Sequence, residues 1–152
     1  MSADADRIAR AALLLLESHD MEGFLATLPP PTEALSSEGV ARSWALPSPL
    51  RVSLGPEKFS KKLVKLFKGE LQTGDEAFDA AVFIDTDTPQ LAAAWLDIPA
   101  LRSALLSLVE KGGSIEVDGE TVTLRAPREA FDDRSTATIL AHVEAVAHPP
   151  EP

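Results

Sequence analysis

Five lysines, Lys58, Lys61, Lys62, Lys65 and Lys68, recur at spacings of three and four residues, and the chain has only one other, Lys111. On a helix this spacing gathers them on one face, while Phe59, Leu63, Leu66 and Phe67 take the opposite one. A basic amphipathic helix of this kind engages an acidic protein partner or lies on an anionic membrane surface. A compact domain has a plainer use for the pattern: the Phe/Leu face joins the core and the lysines are solvated. These five lysines are the partner-binding residues that the sequence offers. Carboxylates form the other chemical cluster, with Asp75, Glu76 and Asp79 upstream of Asp85 and Asp87. Paired carboxylates do acid–base work or hold divalent cations, but the spacing is not that of an EF-hand loop, and a solvated acidic turn is expected.

Other catalytic chemistry finds little support. His19, His142 and His148 are far apart, with no His-x-x-x-His pair for zinc. His142 precedes the apolar Val143 and is expected at the boundary of a helix's buried face. The absence of cysteine excludes disulfides, thiolate catalysis and Cys-ligated zinc. There is no Gly-x-Ser-x-Gly elbow, and Gly112-Gly113 follows a helix where a phosphate-cradling loop would precede one. No catalytic residue, metal or cofactor is expected, and the chain is read as a non-enzyme.

The elements that must position these residues follow from periodicity and punctuation. A first helix starts near Ser2 or Asp4, with acids in its first turn and an apolar stripe of Ile8, Ala12, Leu15 and Leu16 widened by Leu13 and Leu14. A second helical piece covers Met21 to Leu28. Pro29-Pro30-Pro31 stops it, and Thr32 to Glu38 reads as a mobile connection. Val40, Trp44 and Leu46 share one face of an extended segment. Leu50, Val52 and Leu54 share one face of the next, and Pro47-Ser48-Pro49 suits a hairpin-like reversal between the two. Pro56-Glu57 opens the lysine helix, closed by Gly69. Ala80 to Ile84 is a continuous apolar run, as in a strand covered on both faces. Thr88-Pro89 starts another helix, which restarts near Asp97 and carries Ile98, Leu101, Leu105, Leu108 and Val109 to a stop at Gly112-Gly113. Asp118-Gly119 is a two-residue turn signal, pairing Ile115 with Val122 and keeping Val117 and Leu124 on the same face. Asp132 or Asp133 caps a last helix carrying Ile139, Val143 and Val146.

This order predicts an α+β fold: an antiparallel or mixed sheet of about five strands with helices packed mainly on one face, in the order α-β-β-(α)-β-α-β-β-α. A single domain spans 1–152, with an N-terminal helical segment at 1–28, a Pro-rich connection at 29–38, the α+β core at 39–147 and a disordered tail at 148–152.

Three resemblances attach to particular residues. Val82-Phe83-Ile84-Asp85-Thr86-Asp87-Thr88, an apolar strand ending in Asp-x-Asp, resembles the first motif of haloacid dehalogenase-type phosphotransferases. The likeness implies a magnesium-dependent reaction, with Asp85 as nucleophile and Asp87 as acid/base. The chain departs from that family at Thr88-Pro89, where Gly and then Thr or Val are expected, and in lacking a regular βαβ alternation. Thr73-Gly74-Asp75-Glu76-Ala77-Phe78-Asp79 is similar to a Gly-Asp-x-x-Phe-Asp segment of uncharacterised bacterial domains, over about Leu50 to Leu124. That resemblance implies a turn at Gly74, a core anchor at Phe78 and capping of backbone amides by Asp75 or Asp79. With the lysine helix set aside, the element order is similar to that of acidic type III secretion chaperones. They are dimers that bind an extended segment of a partner.

Bulk properties complete the expectation. In 152 residues with 45% apolar and 25% charged content, an ordinary hydrophobic core can form. A net charge of −10 keeps the chain soluble and argues against nucleic acid as a partner. The acidic start and the short apolar run Ala11 to Leu16 suit neither a signal peptide nor a membrane span, so a cytoplasmic protein is expected. The reading is a non-catalytic protein-binding or adaptor domain. A chaperone-like or immunity-like protein that masks a partner is the alternative, with a homodimer favouring the chaperone version.

Overall fold

A computed structural model of the chain describes residues 3–18, 20–36, 39–56, 69–70 and 73–147. The fold is α+β, an antiparallel sheet with helices on one face. In chain order the elements are α1 (Ala3–Ser18), α2 (Met21–Thr27), β1 (Thr32–Ser36), β2 (Gly39–Ala45), β3 (Arg51–Pro56), β4 (Gly69–Glu70), α3 (Glu76–Ala81), β5 (Val82–Thr86), α4 (Pro89–Leu96), α5 (Pro99–Glu110), β6 (Ser114–Asp118), β7 (Thr121–Ala126) and α6 (Asp133–Ala147). A single 3₁₀ turn, Arg128–Ala130, joins β7 to α6.

The sheet runs β1-β2-β7-β6-β3-β5-β4, and every pairing is antiparallel. Among the described residues it therefore has seven strands where about five were expected. The element order is also longer, gaining β1, β4 and α3, while the second helical piece forms as α2 and the restart near Asp97 separates α4 from α5, so the order shared with secretion chaperones is not kept. β6 and β7 form a hairpin wedged between β2 and β3. β2 and β3 run in opposite directions, as the expected reversal requires, but they are not hydrogen-bonded neighbours. Pro47-Ser48-Pro49 instead carries the chain past the tip of that hairpin, where the Ser48 amide donates to the Gly119 carbonyl at 3.1 Å.

Strand alternation sets the two faces of the sheet. Val40, Trp44, Val52, Leu54, Val82, Ile84, Ile115, Val117, Val122 and Leu124 are all buried in one apolar cluster or at its margin, against the helices. The opposite face carries small and polar side chains, among them Ser43 and Thr123, whose hydroxyls lie 2.9 Å apart, and the Glu116–Arg125 ion pair at 3.5 Å.

The β6–β7 hairpin forms as expected but in another register: Ile115 faces Leu124 and Val117 faces Val122. Asp118 explains the change. Its Oδ1 accepts the amides of Glu120 (2.9 Å) and Thr121 (2.8 Å), and its Oδ2 accepts the Thr121 hydroxyl (3.1 Å). That Asx-type closure centres the turn on Gly119-Glu120. A slip of two residues leaves every side chain on its intended face, so the core set is unchanged.

Thr32–Ser36, expected as a connection, is an edge strand paired with β2 from Thr32↔Ser43 to Ser36↔Gly39. Glu33 secures it. Its carboxylate takes Arg42 Nε at 3.1 Å and an Arg128 guanidinium nitrogen at 2.9 Å, and the Arg42 guanidinium stacks 4.5 Å from the centroid of the Phe131 ring. The Arg128 and Arg42 hydrogen bonds hold the Glu33 carboxyl below its ordinary pKa.

Helix ends follow local chemistry. Asp20 caps α2 and Asp132 caps α6, the latter accepting the Ser135 amide at 2.7 Å. At the end of α5 the amides of Gly112 and Gly113 return to the carbonyls of Val109 and Leu108, both at 2.9 Å. Gly112 (φ +88°) provides the left-handed residue this closure needs. The apolar run beginning at Ala80 divides at Val82: Ala80 and Ala81 complete α3, and the strand starts after them.

Candidate functional site

The five lysines singled out above, Lys58, Lys61, Lys62, Lys65 and Lys68, lie outside the described residues, as do His19, His148 and the tail from 148. The carboxylates are placed, and each has a local task. Asp75 caps α3, its Oδ1 accepting the Phe78 amide at 3.1 Å, while its Oδ2 lies 3.5 Å from Arg102 Nε. Asp79 gathers the preceding turn: Oδ1 accepts the Thr73 amide (2.8 Å) and hydroxyl (2.9 Å), and Oδ2 accepts the Gly74 amide (3.0 Å). Gly74 has φ +88° and Phe78 is buried, so the Gly-Asp-x-x-Phe-Asp segment is a capped turn anchored in the core. Among the described residues no three His, Asp or Glu side chains converge to hold a metal ion.

Asp85 and Asp87 do not share an environment. Asp85 is 2% exposed and sits on β5 opposite Ser53, between β3 and β4. Asp87 lies just beyond the strand and pairs with Arg51 at 3.1 Å. The intervening hydroxyls tie this corner together. Thr86 Oγ1 donates to the Arg51 carbonyl at 2.6 Å, and Thr88 Oγ1 accepts the Arg51 amide at 3.1 Å. Thr88 therefore stands at the N-cap of α4 without capping it. β5 is antiparallel to both neighbours, whereas the phosphotransferase motif sits at the end of a parallel strand.

His142 is not a boundary residue. It is buried within α6, with Nδ1 2.7 Å from the Thr138 carbonyl, and burial pushes its pKa below the ordinary value.

A groove of about 650 Å3 at one end of the helical layer could receive a ligand. It is lined by Leu15 of α1, Phe24 of α2 and Leu28 just after it, Leu46 and the Pro47-Ser48-Pro49 crossing, Gly119 of the hairpin tip and Ala147 of α6. Pro29, Pro47 and Pro49 stiffen the rim because each fixes its own φ. Both hydroxyls in the lining are engaged: Thr27 Oγ1 donates to the Phe24 carbonyl at 2.6 Å, and Ser48 Oγ accepts the Leu50 amide at 3.2 Å. Among the described residues Glu144 is the only ionisable side chain in the lining, and no basic side chain takes part. Gly119 lies between Asp118 and Glu120, which add negative charge at the hairpin tip. Burial works to raise the Asp118 pKa, but its hydrogen bonds from Glu120 and Thr121 outweigh that and keep it below the ordinary value.

Sequence reasoning missed this groove because its lining comes from five separated segments. The one local sign was the pair of proline clusters, Pro29-Pro30-Pro31 and Pro47-Ser48-Pro49. Among the described residues no single helix is long and apolar enough to cross a membrane. Comparison with family models, with curated proteins and with solved structures returns no match.

Proposed function

We propose that this chain is a non-catalytic protein-binding domain whose groove takes an apolar segment of a partner protein flanked by lysine or arginine. The observation that carries the reading is the lining itself: an apolar, proline-stiffened groove whose charge, among the described residues, is negative. Burying a leucine- or phenylalanine-sized side chain there removes apolar surface from water at roughly 25 cal/mol per Å2. A wall already held by prolines and packed helices loses little further entropy on binding. Glu144 and the acidic hairpin tip select a basic flank, and the overall charge of −10 speeds its approach. Among the described residues the lining offers no nucleophile beside a base, since its two hydroxyls are bound to backbone groups.

The test is selection from a displayed peptide library, followed by mapping of the selected peptides by amide chemical shifts. The expected consensus is one or two large apolar residues next to Lys or Arg, with shifts concentrated at Leu28, Leu46, Gly119 and Ala147. Glu144→Lys should weaken those peptides by about tenfold, equivalent to ~1.4 kcal/mol, while the circular dichroism of the folded protein is retained. Selected peptides that map elsewhere, or bind equally well to Glu144→Lys and to a Leu28→Asp variant, would remove the groove from the argument.

A further inference from the structure

Among its described residues the groove offers almost no backbone donor to a bound peptide. Its non-helical lining consists of 28–29 and 46–49, with Gly119 at the hairpin tip. Pro29, Pro47 and Pro49 have no N–H. The Leu28 amide donates to the Leu25 carbonyl at 3.3 Å, and the Ser48 amide donates to the Gly119 carbonyl at 3.1 Å. Leu46 and Gly119 apart, the remaining described lining belongs to α1, α2 and α6, whose amides are used inside their own helices. Taking the groove as the binding site proposed above, we infer that its occupant is an amphipathic α-helix of the partner. That helix turns a Leu- or Phe-bearing face inward and carries Lys or Arg at the edge of that face.

The two other backbone forms a peptide can take fit the groove poorly. A peptide added as a strand bonds to the N–H and C=O groups of alternate residues of its host. Along 46–49 one alternate set is Pro47 and Pro49, which have no N–H; the other is Leu46 and Ser48, and the Ser48 amide is already bonded. Carbonyls of a strand laid there would be buried without a donor, and each one left so weakens binding by about tenfold. A polyproline II peptide is gripped by aromatic side chains, and the one aromatic residue in the described lining, Phe24, is 1% exposed. A helix meets neither obstacle. Its own N–H and C=O groups are paired within it, and it needs from the groove only room for side chains.

That room is of the right size. One helical turn, about 10 Å wide and ~5.4 Å tall, fills about 420 Å3, so the groove's volume of about 650 Å3 seats the inward half of roughly three turns. Apolar side chains at i, i+3, i+4 and i+7 cover that length on one face. Asp118 and Glu120, on either side of Gly119, supply the charge complementary to Lys or Arg at the edge of the face.

The test uses three synthetic peptides of about 15 residues. The first has leucines at i, i+3, i+4 and i+7 among alanines, with arginines at both ends. The second has the same composition with the leucines at alternate positions, and the third is the first with a central alanine replaced by proline. Amide shifts of Leu28, Leu46, Gly119 and Ala147 report whether a peptide enters the groove, and Cα shifts of the isotope-labelled peptide report its bound conformation. The first peptide should enter the groove and show helical Cα shifts there. The second should bind at least about tenfold more weakly, and the third about 100-fold more weakly, because proline breaks the helix interior. Either variant binding in the groove as tightly as the first peptide, or extended Cα shifts in the bound state, would overturn the helical occupant and leave the groove as the binding site. If none of the three moves the groove amides, the groove reading fails and the helical occupant with it.

Discussion

Replacing Gly39 with alanine tests how tightly β2 is seated against β7. Gly39 opens β2 with φ +137°, a region that side-chain-bearing residues rarely enter. A Cβ there would fall 2.3 Å from the Ala126 carbonyl oxygen, 2.8 Å from its carbonyl carbon and 2.8 Å from Pro127 Cα. All three are backbone atoms, so no rotamer change relieves the clash and the strand end itself must move. Gly112 supplies the reference. Its φ of +88° is also unfavourable for alanine, but nothing lies within 4 Å of an added Cβ. Gly112→Ala should therefore cost only the backbone conformation, about 1–2 kcal/mol. Gly39→Ala has a comparable backbone cost and adds the overpacking cost of a crowded site, about 1–3 kcal/mol, for a total near 2–5 kcal/mol. A domain stabilised by ~5–15 kcal/mol keeps a folded population to measure over nearly all of that range. Urea unfolding followed by tryptophan fluorescence should rank the proteins unmodified, Gly112→Ala, Gly39→Ala. Hydrogen exchange should show lost protection in β1 and β2 ahead of β3 and β5. A Gly39→Ala protein as stable as Gly112→Ala would refute the packing argument.

Further outcomes follow from the caps, the buried histidine and the core. Asp132→Ala removes the acceptor for the Ser135 amide and should cost about 1 kcal/mol in urea, with most of it kept by Asp132→Asn. Ser135 also holds the Asp132 pKa below its ordinary value, so the cap's contribution should be fully present above the unfolded pKa of about 3.9 and fade as pH falls below it. His142 behaves differently. The unfolded chain takes up a proton near pH ~6.5 that the buried ring resists, so stability should be full above that value and decline as pH falls below it. His142→Leu should flatten that decline between about pH 7 and 5, and an unchanged slope would show that this ring is not its source. Leu50→Ala, at a fully buried position beside the Pro47-Ser48-Pro49 crossing, should lose about 2–5 kcal/mol.

What the sequence shows and what it hides separate along local and non-local lines. The stripe from Ile98 to Val109 and the Gly112-Gly113 stop depend on neighbours within one turn, and α5 runs from Pro99 to Glu110 as the spacing predicts. The Asp118 turn is legible as a turn, while its register depends on which amides the carboxylate accepts, a choice that Asp-Gly alone does not reveal. Thr-Glu-Ala-Leu-Ser has neither a clear alternation nor β-rich composition. It becomes β1 because β2 lies beside it and two arginines, one 95 residues away, meet Glu33. The six residues of α3 are too few for a periodic signal, and the acids around them read as solvent-facing although two of them organise backbone amides. Strand pairing is the least legible property. Pro47-Ser48-Pro49 reads as the turn of a β2–β3 hairpin, and only the β6–β7 hairpin, made much later in the chain, shows that two strands come between them.

The wedge position of β6–β7 has a consequence for how the sheet is assembled. Before that hairpin exists, the earlier strands can form only two separate pieces, β1 with β2 and β3 with β5 and β4. Neither piece offers the other a hydrogen-bonded edge, because the joining residues, such as Ser43 and Thr123, are 80 positions apart in the chain. The hairpin closes over a short loop at small entropic cost and, once closed, presents two edges at once. It acts as a keystone: during synthesis the halves wait as unjoined fragments until residue 126 has emerged, and its arrival converts them into one sheet.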